Sequence, residues 1–370
     1  MGKKLKIAIA CGGTGGHIFP GLATGRELLE RGHDVTLWMA GKDIEHNAVK
    51  DWPGRIITIP SEGFQFGVSI RTIGTIFKLF KAYKLSLAPM RETNPDVVLA
   101  MGSYASFGPV RAARKLKIPY VLHEANLLPG RAVSFLARKA HTVAVSFEKS
   151  RFYLKHGNIE ATGMPLRKAL QRASAQPRRE RGADDPLRVL VMGGSRGARV
   201  LNEVVPKAIS DAVEKGVAIE VEHIAGLQNS EDVEAIYSAA GIKANVHHFV
   251  QHMENIYPGI DLAICRSGAA TCAELACFAL PALLIPYPTA VRDHQMGNAR
   301  VLQDFCAADV IAEGDLTGSW LRDYLVSVSK NPERLEKMAA AMKKRAQPNA
   351  ADRLADLLEK VGGASRKNEG

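Results

Sequence analysis

Short apolar runs alternate with helix-length segments along the whole chain, and this alternation limits the folds that the chain can adopt. The runs lie at Leu5–Cys11, Val35–Met39, Arg55–Ile59, Val97–Met101, Tyr120–His123, Thr142–Val145, Leu187–Met192, Ala218–His223, Val246–Phe249, Leu262–Cys265 and Ala282–Ile285. Most are nearly continuous in Val, Ile and Leu, which is typical of strands buried on both faces of a parallel sheet. The sequence therefore predicts an α/β protein, and its 370 residues suit two domains of about 150–200 residues.

Two of the runs lead directly into glycine-rich turns, one in each half of the chain. They are IAIACGGTGGH at residues 7–17 and VLVMGGSRGAR at residues 189–199. This repetition predicts two Rossmann-like, doubly wound domains with a cleft between them. We place the domains at residues 1–165 and 187–346, joined by an exposed linker at 166–186 that is rich in Arg, Ala, Asp and Pro. A helical apolar period at 349–361 indicates a last helix that returns to the first domain.

The glycine turns indicate a phosphate-binding function, because glycine lets the backbone approach a phosphate and the next helix offers unpaired N–H groups. In the first turn, however, Ile18 occupies the place of the third glycine of a dinucleotide-binding turn. The segment Trp38-Met39-Ala40-Gly41 after the second strand lacks the acidic residue that would hold a ribose, and neither turn contains Gly-Lys-Ser/Thr. A P-loop NTPase is excluded and a dinucleotide cofactor is disfavoured. The glycines could also serve only to allow tight turns.

His17 follows Gly16 at the predicted start of the first helix. An imidazole at this place could take a proton from a hydroxyl group, and the positive end of the helix dipole favours its neutral form. A surface or capping role is the simpler alternative for a single histidine. We interpret His17 as a candidate general base.

Metal-binding and disulfide patterns find little support. The chain has no D-x-D or H-E-x-x-H motif, and the spacing of His247, His248 and His252 matches no common metal site. We therefore expect a reaction without metal or cofactor. The five cysteines are an odd number without C-x-x-C spacing and lie in apolar contexts, so we expect buried free thiols.

Glu274 lies in a segment that otherwise consists of Ala, Cys, Leu and Phe, after the strand 262–265 and the turn Arg266-Ser267-Gly268. An unpartnered buried carboxylate is costly, so this side chain is expected to face polar groups. The paired hydroxyls of a ribose would be suitable donors. A structural ion pair is the alternative.

The charge of the chain is unevenly distributed. Residues 1–165 contain 23 Lys and Arg against 12 Asp and Glu, whereas residues 166–370 contain 26 of each kind. The basic half is therefore expected to face an anionic partner, either nucleic acid, anionic lipid or a phosphorylated substrate.

The chain has no apolar run long enough to span a membrane, and the first run is too short for a signal peptide. We therefore expect a protein that stays inside the cell.

Four motifs closely resemble one family. They are GGTGGHIFPGLA (12–23), GSYASFGPVRAARKLKIPYVLHEAN (102–126), GGSRGARVLNE (193–203) and CRSGAATCAELACFALPALLIPYP (265–288). The family is that of the MurG N-acetylglucosaminyltransferases, which convert lipid I to lipid II in peptidoglycan synthesis. The resemblance implies a GT-B fold with its active site in the cleft and an inverting, metal-independent transfer from UDP-N-acetylglucosamine. It also implies a peripheral location on the cytoplasmic face of the inner membrane.

The resemblance also implies a set of site residues. His17 would be the general base, Ser195 would bind the diphosphate, and Glu274 would bind the ribose. The backbone of Val250 would meet the uracil, and Asn126 and Gln295 would contact the sugar. In the segment that matches the family's G-N-P-V-R motif, Met164 and Leu166 replace Asn and Val. The full set of implied substrate-binding residues is Thr14, Gly15, Gly16, Asn126, Arg167, Ser195, Val250, Ala269, Ala270, Thr271, Cys272, Ala273, Glu274 and Gln295.

Residues 68–92 combine apolar side chains at helical spacing with basic ones. Such a helix commonly packs on a sheet with its lysines extended into water. With a basic domain and a lipid-linked acceptor, docking on an anionic membrane is at least as well supported. The predicted membrane-facing residues are Ile73, Phe77, Lys78, Phe80 and Lys81.

Three alternatives remain. Another GT-B enzyme, either a glycolipid glycosyltransferase or a UDP-N-acetylglucosamine 2-epimerase, would share the nucleotide-binding features. An epimerase would have no use for a basic, membrane-facing domain. A nucleic-acid-binding protein is disfavoured, because aromatic residues make up only 6% of the chain and no base-reading motif is present.

Overall fold

The computed structural model describes residues 4–40, 49–59, 70–182, 184–194, 197–226 and 230–367. The chain forms two compact units. Unit 1 consists of residues 1–167 and 348–370, and unit 2 consists of residues 168–347. Each unit is built around one parallel sheet.

Unit 1 contains a seven-stranded sheet with the spatial order β3-β2-β1-β4-β5-β6-β7. All of its neighbouring strands are parallel. The strands are β1 (Lys6–Ala10), β2 (Asp34–Met39), β3 (Ile56–Thr58), β4 (Val97–Ala100), β5 (Tyr120–Glu124), β6 (Thr142–Val145) and β7 (Ile159–Ala161). The helices that follow β1, β3, β4 and β5 are α1 (Gly15–Glu30), α2 (Ile70–Thr93), α3 (Phe107–Lys115) and α4 (Arg131–Leu136).

Unit 2 contains a six-stranded parallel sheet with the order β10-β9-β8-β11-β12-β13. The strands are β8 (Leu187–Met192), β9 (Ile219–Ile224), β10 (Ala244–His247), β11 (Leu262–Cys265), β12 (Ala282–Leu284) and β13 (Ala308–Val310). The helices are α5 (Lys168–Ser174), α6 (Arg199–Glu214), α7 (Ser230–Ala239), α8 (Ala269–Cys277), α9 (His294–Gln303), α10 (Gly318–Lys330) and α11 (Pro332–Lys343). A last helix, α12 (Ala350–Lys367), belongs to unit 1.

The two sheets confirm the predicted fold class, since both have the strand order of a doubly wound Rossmann-like domain. Two strands were not predicted, β7 and β13. Each has three residues, lies at the edge of its sheet and is only partly buried. Glu160 interrupts β7 and Asp309 interrupts β13, so neither strand has the continuous apolar run on which the prediction depends.

The two faces of the unit 1 sheet have separate apolar cores. Ile7 and Ile9 of β1 pack with α1 on one face, and Ala8 and Ala10 pack with α2 and α3 on the other. Successive side chains of a strand point to opposite faces, so a strand covered on both sides is apolar throughout. This arrangement is the reason for the continuous runs in the sequence.

Helix α12 follows unit 2 in the sequence but packs into unit 1. Leu354 and Leu358 are fully buried in the core that also contains residues of α1. At the end of α1, the guanidinium of Arg31 lies 2.6 Å from a carboxylate oxygen of Asp356 and 3.3 Å from one of Glu359. The apolar face therefore joins the core of unit 1, and charged contacts at its border favour this register.

The segment 166–186 differs from the expected exposed linker. Leu170 of α5 is buried, and Arg178 donates a hydrogen bond to the carbonyl of Asp261 at 3.0 Å. Arg179 lies 3.2 Å from the buried carboxylate of Asp261 and 2.6 Å from that of Asp185. A segment without apolar period can thus still pack on a domain, because its charged side chains find buried polar partners.

The expectation of buried thiols is wrong for Cys306, which is exposed, whereas the other four cysteines are buried. Cys306 lies just beyond the end of α9 with a φ of 53°. This left-handed position ends the helix, and such a turn lies on the surface. Burial raises the pKa of Cys277 to about 11 and that of Cys272 to about 12.

Leu358→Ala should lower the free energy of unfolding of unit 1 by about 2–4 kcal/mol, because it removes a fully buried side chain from the core shared by α12 and α1. Urea unfolding followed by tryptophan fluorescence can assign the loss, since Trp38 and Trp52 lie in unit 1 and Trp320 lies in unit 2. Lys360→Ala, at an exposed position of the same helix, is the matched control and should change the value by less than about 0.5 kcal/mol. An unchanged unit 1 transition in Leu358→Ala would contradict the packing of α12.

Candidate active site

The glycine turn after β1 lies beside the turn after β4, at the point where the strand order of unit 1 changes direction. Ligands of doubly wound sheets bind at such a switch point, outside the carboxyl ends of the strands. Gly13 has a φ of 93°, and a Cβ atom there would lie 2.9 Å from Cε1 of Tyr104. The close approach of the two turns therefore requires glycine at this position.

Thr14 and His17 interact at the start of α1. Thr14 is the N-cap, and its carbonyl oxygen accepts the backbone N–H groups of His17 at 3.0 Å and Ile18 at 3.1 Å. Its hydroxyl oxygen lies 2.9 Å from Nδ1 of the half-buried His17 ring. In the tautomer in which Nδ1–H donates to Thr14, the lone pair lies on Nε2, which can then accept a proton.

Arg167 reaches the same part of α1 through Phe19. Its guanidinium carbon lies 5.4 Å from the centre of the Phe19 ring, within the range of a cation–π interaction. The ring in turn covers Gly15, where a Cβ atom would lie 3.1 Å from Phe19 Cε2. The structure thus brings Thr14, His17 and Arg167 to one end of α1. Phe19 is not among the predicted site residues, although it lies in the motif GGTGGHIFPGLA.

Asn126 follows β5 in a loop that is held by the buried carboxylate of Glu124. The carboxylate accepts the backbone N–H groups of Asn126 at 2.9 Å and Gly130 at 2.8 Å. Its Oε1 also lies 3.3 Å from the side-chain nitrogen of Asn126. Burial raises the pKa of Glu124, and these N–H groups oppose the rise. Glu124 therefore determines how the loop presents Asn126.

His123, one residue earlier, supports the segment that leads to Arg167. Its Nε2 lies 3.0 Å from the carbonyl oxygen of Gly163, so Nε2–H is the donor. Complete burial lowers the pKa of His123 to about 4, although the bond to Gly163 favours the charged form. The ring is therefore neutral near pH 7.

In unit 2 the glycine turn after β8 and the turn after β11 occupy the corresponding switch point. Gly194 and Gly197 have φ values of 95° and 74°. A Cβ atom on Gly193 would overlap the backbone nitrogen of Ala198, so this position requires glycine. Ser195, the predicted diphosphate ligand, lies outside the described residues.

Glu274 lies in the second turn of α8, and Gly268 precedes this helix as its N-cap. The half-buried carboxylate accepts a hydrogen bond of 2.6 Å from the hydroxyl of Tyr257 at Oε2. Ala269 and Cys272 are buried, so among residues 269–274 these two side chains face the core. The remaining predicted residues, Ala270, Thr271 and Ala273, are half-buried.

Gln295 lies in the first turn of α9 and is tied to the turn before α8. Its Oε1 accepts the backbone N–H of Tyr287 at 3.0 Å, and its carbonyl oxygen accepts the hydroxyl of Ser267 at 2.8 Å. Asn298 donates to the carbonyl of Ser267 at 3.1 Å. These hydrogen bonds therefore join the start of α8, the helix of Glu274, to the start of α9, the helix of Gln295. Val250 is half-buried and follows β10.

Two findings concern metals and membranes. Among the described residues, no group of three or more His, Cys, Asp or Glu side chains could hold a metal ion. His247 instead lies 2.8 Å from a carboxylate oxygen of Glu222, and His252 lies 3.0 Å from one of Glu254. In the described part of the chain, no helix has the length and apolar content that crossing a bilayer requires.

Comparison with known proteins assigns the chain to a family. Residues 7–145 match the glycosyltransferase family 28 N-terminal domain, and residues 188–354 match the C-terminal domain. Over 96% of its length the chain is 36% identical to a UDP-N-acetylglucosamine--N-acetylmuramyl-(pentapeptide) pyrophosphoryl-undecaprenol N-acetylglucosamine transferase of Shewanella denitrificans, of which it covers 97%. It is 37% identical to the protein of the same name from Cupriavidus metallidurans, covering 97% of this chain and 99% of that one. The chain belongs to this transferase family.

Solved structures agree with the assignment. The crystal structure of Acinetobacter baumannii MurG matches with a TM-score of 0.79 at 30% identity, over 97% of this chain and 100% of that one. A candidate UDP-N-acetylglucosamine 2-epimerase from Listeria monocytogenes matches with a TM-score of 0.68 at 15% identity, over 95% of each chain. The second likeness shows the fold alone. The chain is therefore a glycosyltransferase of the MurG family.

The buried His123 should make the protein less stable in acid. Its pKa of about 4 lies below the ordinary value near 6.5, so between these pH values the unfolded chain binds the additional proton. The free energy of unfolding should fall as the pH is lowered from 6.5 to 4, by at most about 1.4 kcal/mol per pH unit for this residue. Urea titrations across this range measure the slope, and His123→Gln should make it shallower. An equal slope in both proteins would show that His123 takes up its proton in the folded state.

Proposed function

We propose that the chain transfers N-acetylglucosamine from UDP-N-acetylglucosamine to the muramyl 4-hydroxyl of an undecaprenyl-diphosphate-linked muramyl-pentapeptide, with inversion at the anomeric carbon. The observation that carries this proposal is the match to transferases of that name over nearly the whole chain, at 36–37% identity. The direct test is turnover of labelled donor with a lipid I analogue. Conversion of the donor alone into its manno isomer would instead indicate an epimerase.

Unit 2 is the proposed donor-binding unit. The N-terminus of α8 and the glycine turn after β8 offer backbone N–H groups, which suit a diphosphate. Glu274 would accept the ribose hydroxyls, the backbone of Val250 would meet the uracil, and Gln295 would bind a sugar hydroxyl. Ser195 follows Gly194 in the sequence and would contact the diphosphate.

The residues at the start of α1 are proposed to serve the reacting groups. His17 would accept the proton of the acceptor hydroxyl at Nε2 while the oxygen forms its bond to the anomeric carbon. The bond between that carbon and the diphosphate oxygen breaks in the same step, and UDP leaves with the electron pair. Arg167 and helix N-termini would stabilise the developing charge. Thr14, Gly15, Gly16 and Asn126 would contact the transferred sugar or the acceptor.

Helix α2 supports peripheral docking on an anionic membrane. Its core face consists of Ala82, Ser86 and Met90, which are buried at intervals of four residues. Phe77 and Phe80 are 69% and 54% exposed, and Lys78, Lys81 and Lys84 are exposed beside them. Aromatic and basic side chains together on the exposed side of a helix are typical of interfacial binding. The side chain of Ile73 lies outside the described residues.

Glu274→Ala should raise the dissociation constant of UDP-N-acetylglucosamine by about 10–100-fold, which corresponds to roughly 1.4–2.7 kcal/mol, because it removes charge-assisted hydrogen bonds to the ribose. Titration calorimetry measures the constant. Glu333→Ala, at an exposed position of α11, is the matched control and should bind as the original chain does. Unchanged affinity in a folded Glu274→Ala protein would exclude the ribose contact.

His17→Ala should lower kcat by about 10²–10⁴-fold with little change in donor affinity, because a general base acts on the acceptor. Steady-state kinetics with a lipid I analogue separate kcat from KM. His141→Ala, an exposed histidine of the same unit, serves as control and should retain its kcat. A kcat within about threefold of the original would exclude the base role, given the usual effect of removing such a group.

Phe77→Ser combined with Phe80→Ser should reduce sedimentation with anionic vesicles, because it removes exposed apolar area from α2. Turnover of a water-soluble acceptor analogue should remain. Phe152→Ser removes an aromatic ring that is 80% exposed outside α2, and it should leave vesicle binding unchanged. Equal sedimentation of the original chain, the double variant and Phe152→Ser would show that α2 has no role in membrane binding.

A further inference from the structure

Tyr257 is a buried residue that holds Glu274. It begins a short 3₁₀ turn, Tyr257–Gly259, between β10 and β11, and it is 2% exposed. Its hydroxyl donates to Oε2 of Glu274 at 2.6 Å. Its ring lies 4.9 Å from that of Phe278, at the end of α8. The side chain is thus anchored at its ring and bonded at its hydroxyl.

The hydrogen bond from Tyr257 restricts the conformation of the Glu274 side chain. A free glutamate side chain samples several rotamers, and ordering it on ligand binding costs conformational entropy. A hydrogen bond from a rigid, buried phenol selects one rotamer before the ligand arrives. An ionised carboxylate has about four lone-pair sites, so it can bind Tyr257 and still accept the hydroxyls of a ribose. The phenol itself is too deeply buried to contact the ligand.

We propose that Tyr257 is a positioning residue that sets the preference of the donor site for a ribonucleotide, acting through Glu274. The inference rests on the proposed function, in which Glu274 accepts the ribose hydroxyls. It predicts that the hydroxyl of Tyr257 affects only ligands that carry those hydroxyls. A residue that merely stabilises the fold would affect all nucleotides alike.

Tyr257→Phe tests this role, since phenylalanine keeps the ring that packs on Phe278. The probes are UDP and 2′,3′-dideoxyuridine diphosphate, measured by titration calorimetry. We expect the affinity for UDP to fall by about 10-fold, as for the loss of a bond to a charged group, and the affinity for the dideoxy compound to stay within about twofold. In turnover assays the KM for UDP-N-acetylglucosamine should rise while kcat stays nearly constant.

The matched control is Tyr324→Phe. Tyr324 is also buried in unit 2, its hydroxyl donates to a carboxylate oxygen of Asp309 at 2.8 Å, and its ring stacks on Trp320 at 5.4 Å. This variant should lose a comparable bond without any change in nucleotide affinity. Its melting temperature gives the reference for Tyr257→Phe.

A double-mutant cycle that combines Tyr257→Phe with Glu274→Ala completes the test. If Tyr257 acts through Glu274, adding Tyr257→Phe to Glu274→Ala should cost little further UDP affinity. Additive losses, or equal losses for UDP and the dideoxy compound, would overturn the positioning role. If Tyr257→Phe does not fold, Glu274→Gln against the same two nucleotides keeps the test available, and equal losses again overturn it. Failure of the original chain to bind UDP at all would instead overturn the proposed function.

Discussion

Each unit of this transferase depends on a parallel sheet that helices cover on both faces. Burial of both faces makes the central strands mostly apolar, so the polar groups that would act on ligands lie beyond the strand ends. In a doubly wound sheet the carboxyl ends meet at one edge, where the following helices begin. The turns after β1 and β4, and those after β8 and β11, therefore become the places where glycines, helix N-termini and polar side chains collect.

Buried polar groups hold these turns in shape. Glu124 binds the loop of Asn126, and Tyr257 binds Glu274. In unit 2 the guanidinium of Arg266 pairs with Glu313 and donates to the carbonyl oxygens of Ile285 at 3.1 Å and Pro286 at 3.3 Å. Removing one partner of such a group leaves the other buried without compensation, which is costly. These contacts determine the shape of each site more than they add to overall stability.

Sequence patterns predicted the central strands and the edge strands β3 and β10, but missed the edge strands β7 and β13. The edge strands β7 and β13 are short and partly exposed, so they carry no apolar run. The segment 166–186 has no apolar period either, yet Arg178 and Arg179 pack on unit 2 through Asp261. In both cases hydrogen bonding, which composition does not record, decides the structure. Cys306 is exposed for a different reason. It lies in the left-handed turn that ends α9, and this position, not the apolar residues beside it in the sequence, determines its exposure.

The sequence by itself determined the two parallel-sheet units, the glycine turns and the family, since continuous apolar runs and local motifs depend only on neighbouring residues. It also indicated His17 and Glu274, whose residue types stand out from their surroundings. Only the tertiary structure decided which groups support them. Thr14 is three residues from His17, but Phe19 and Arg167 are 148 positions apart, and Tyr257 and Glu274 belong to different elements. Contacts between distant segments arise from how the helices pack on the sheet, and no local pattern contains that information.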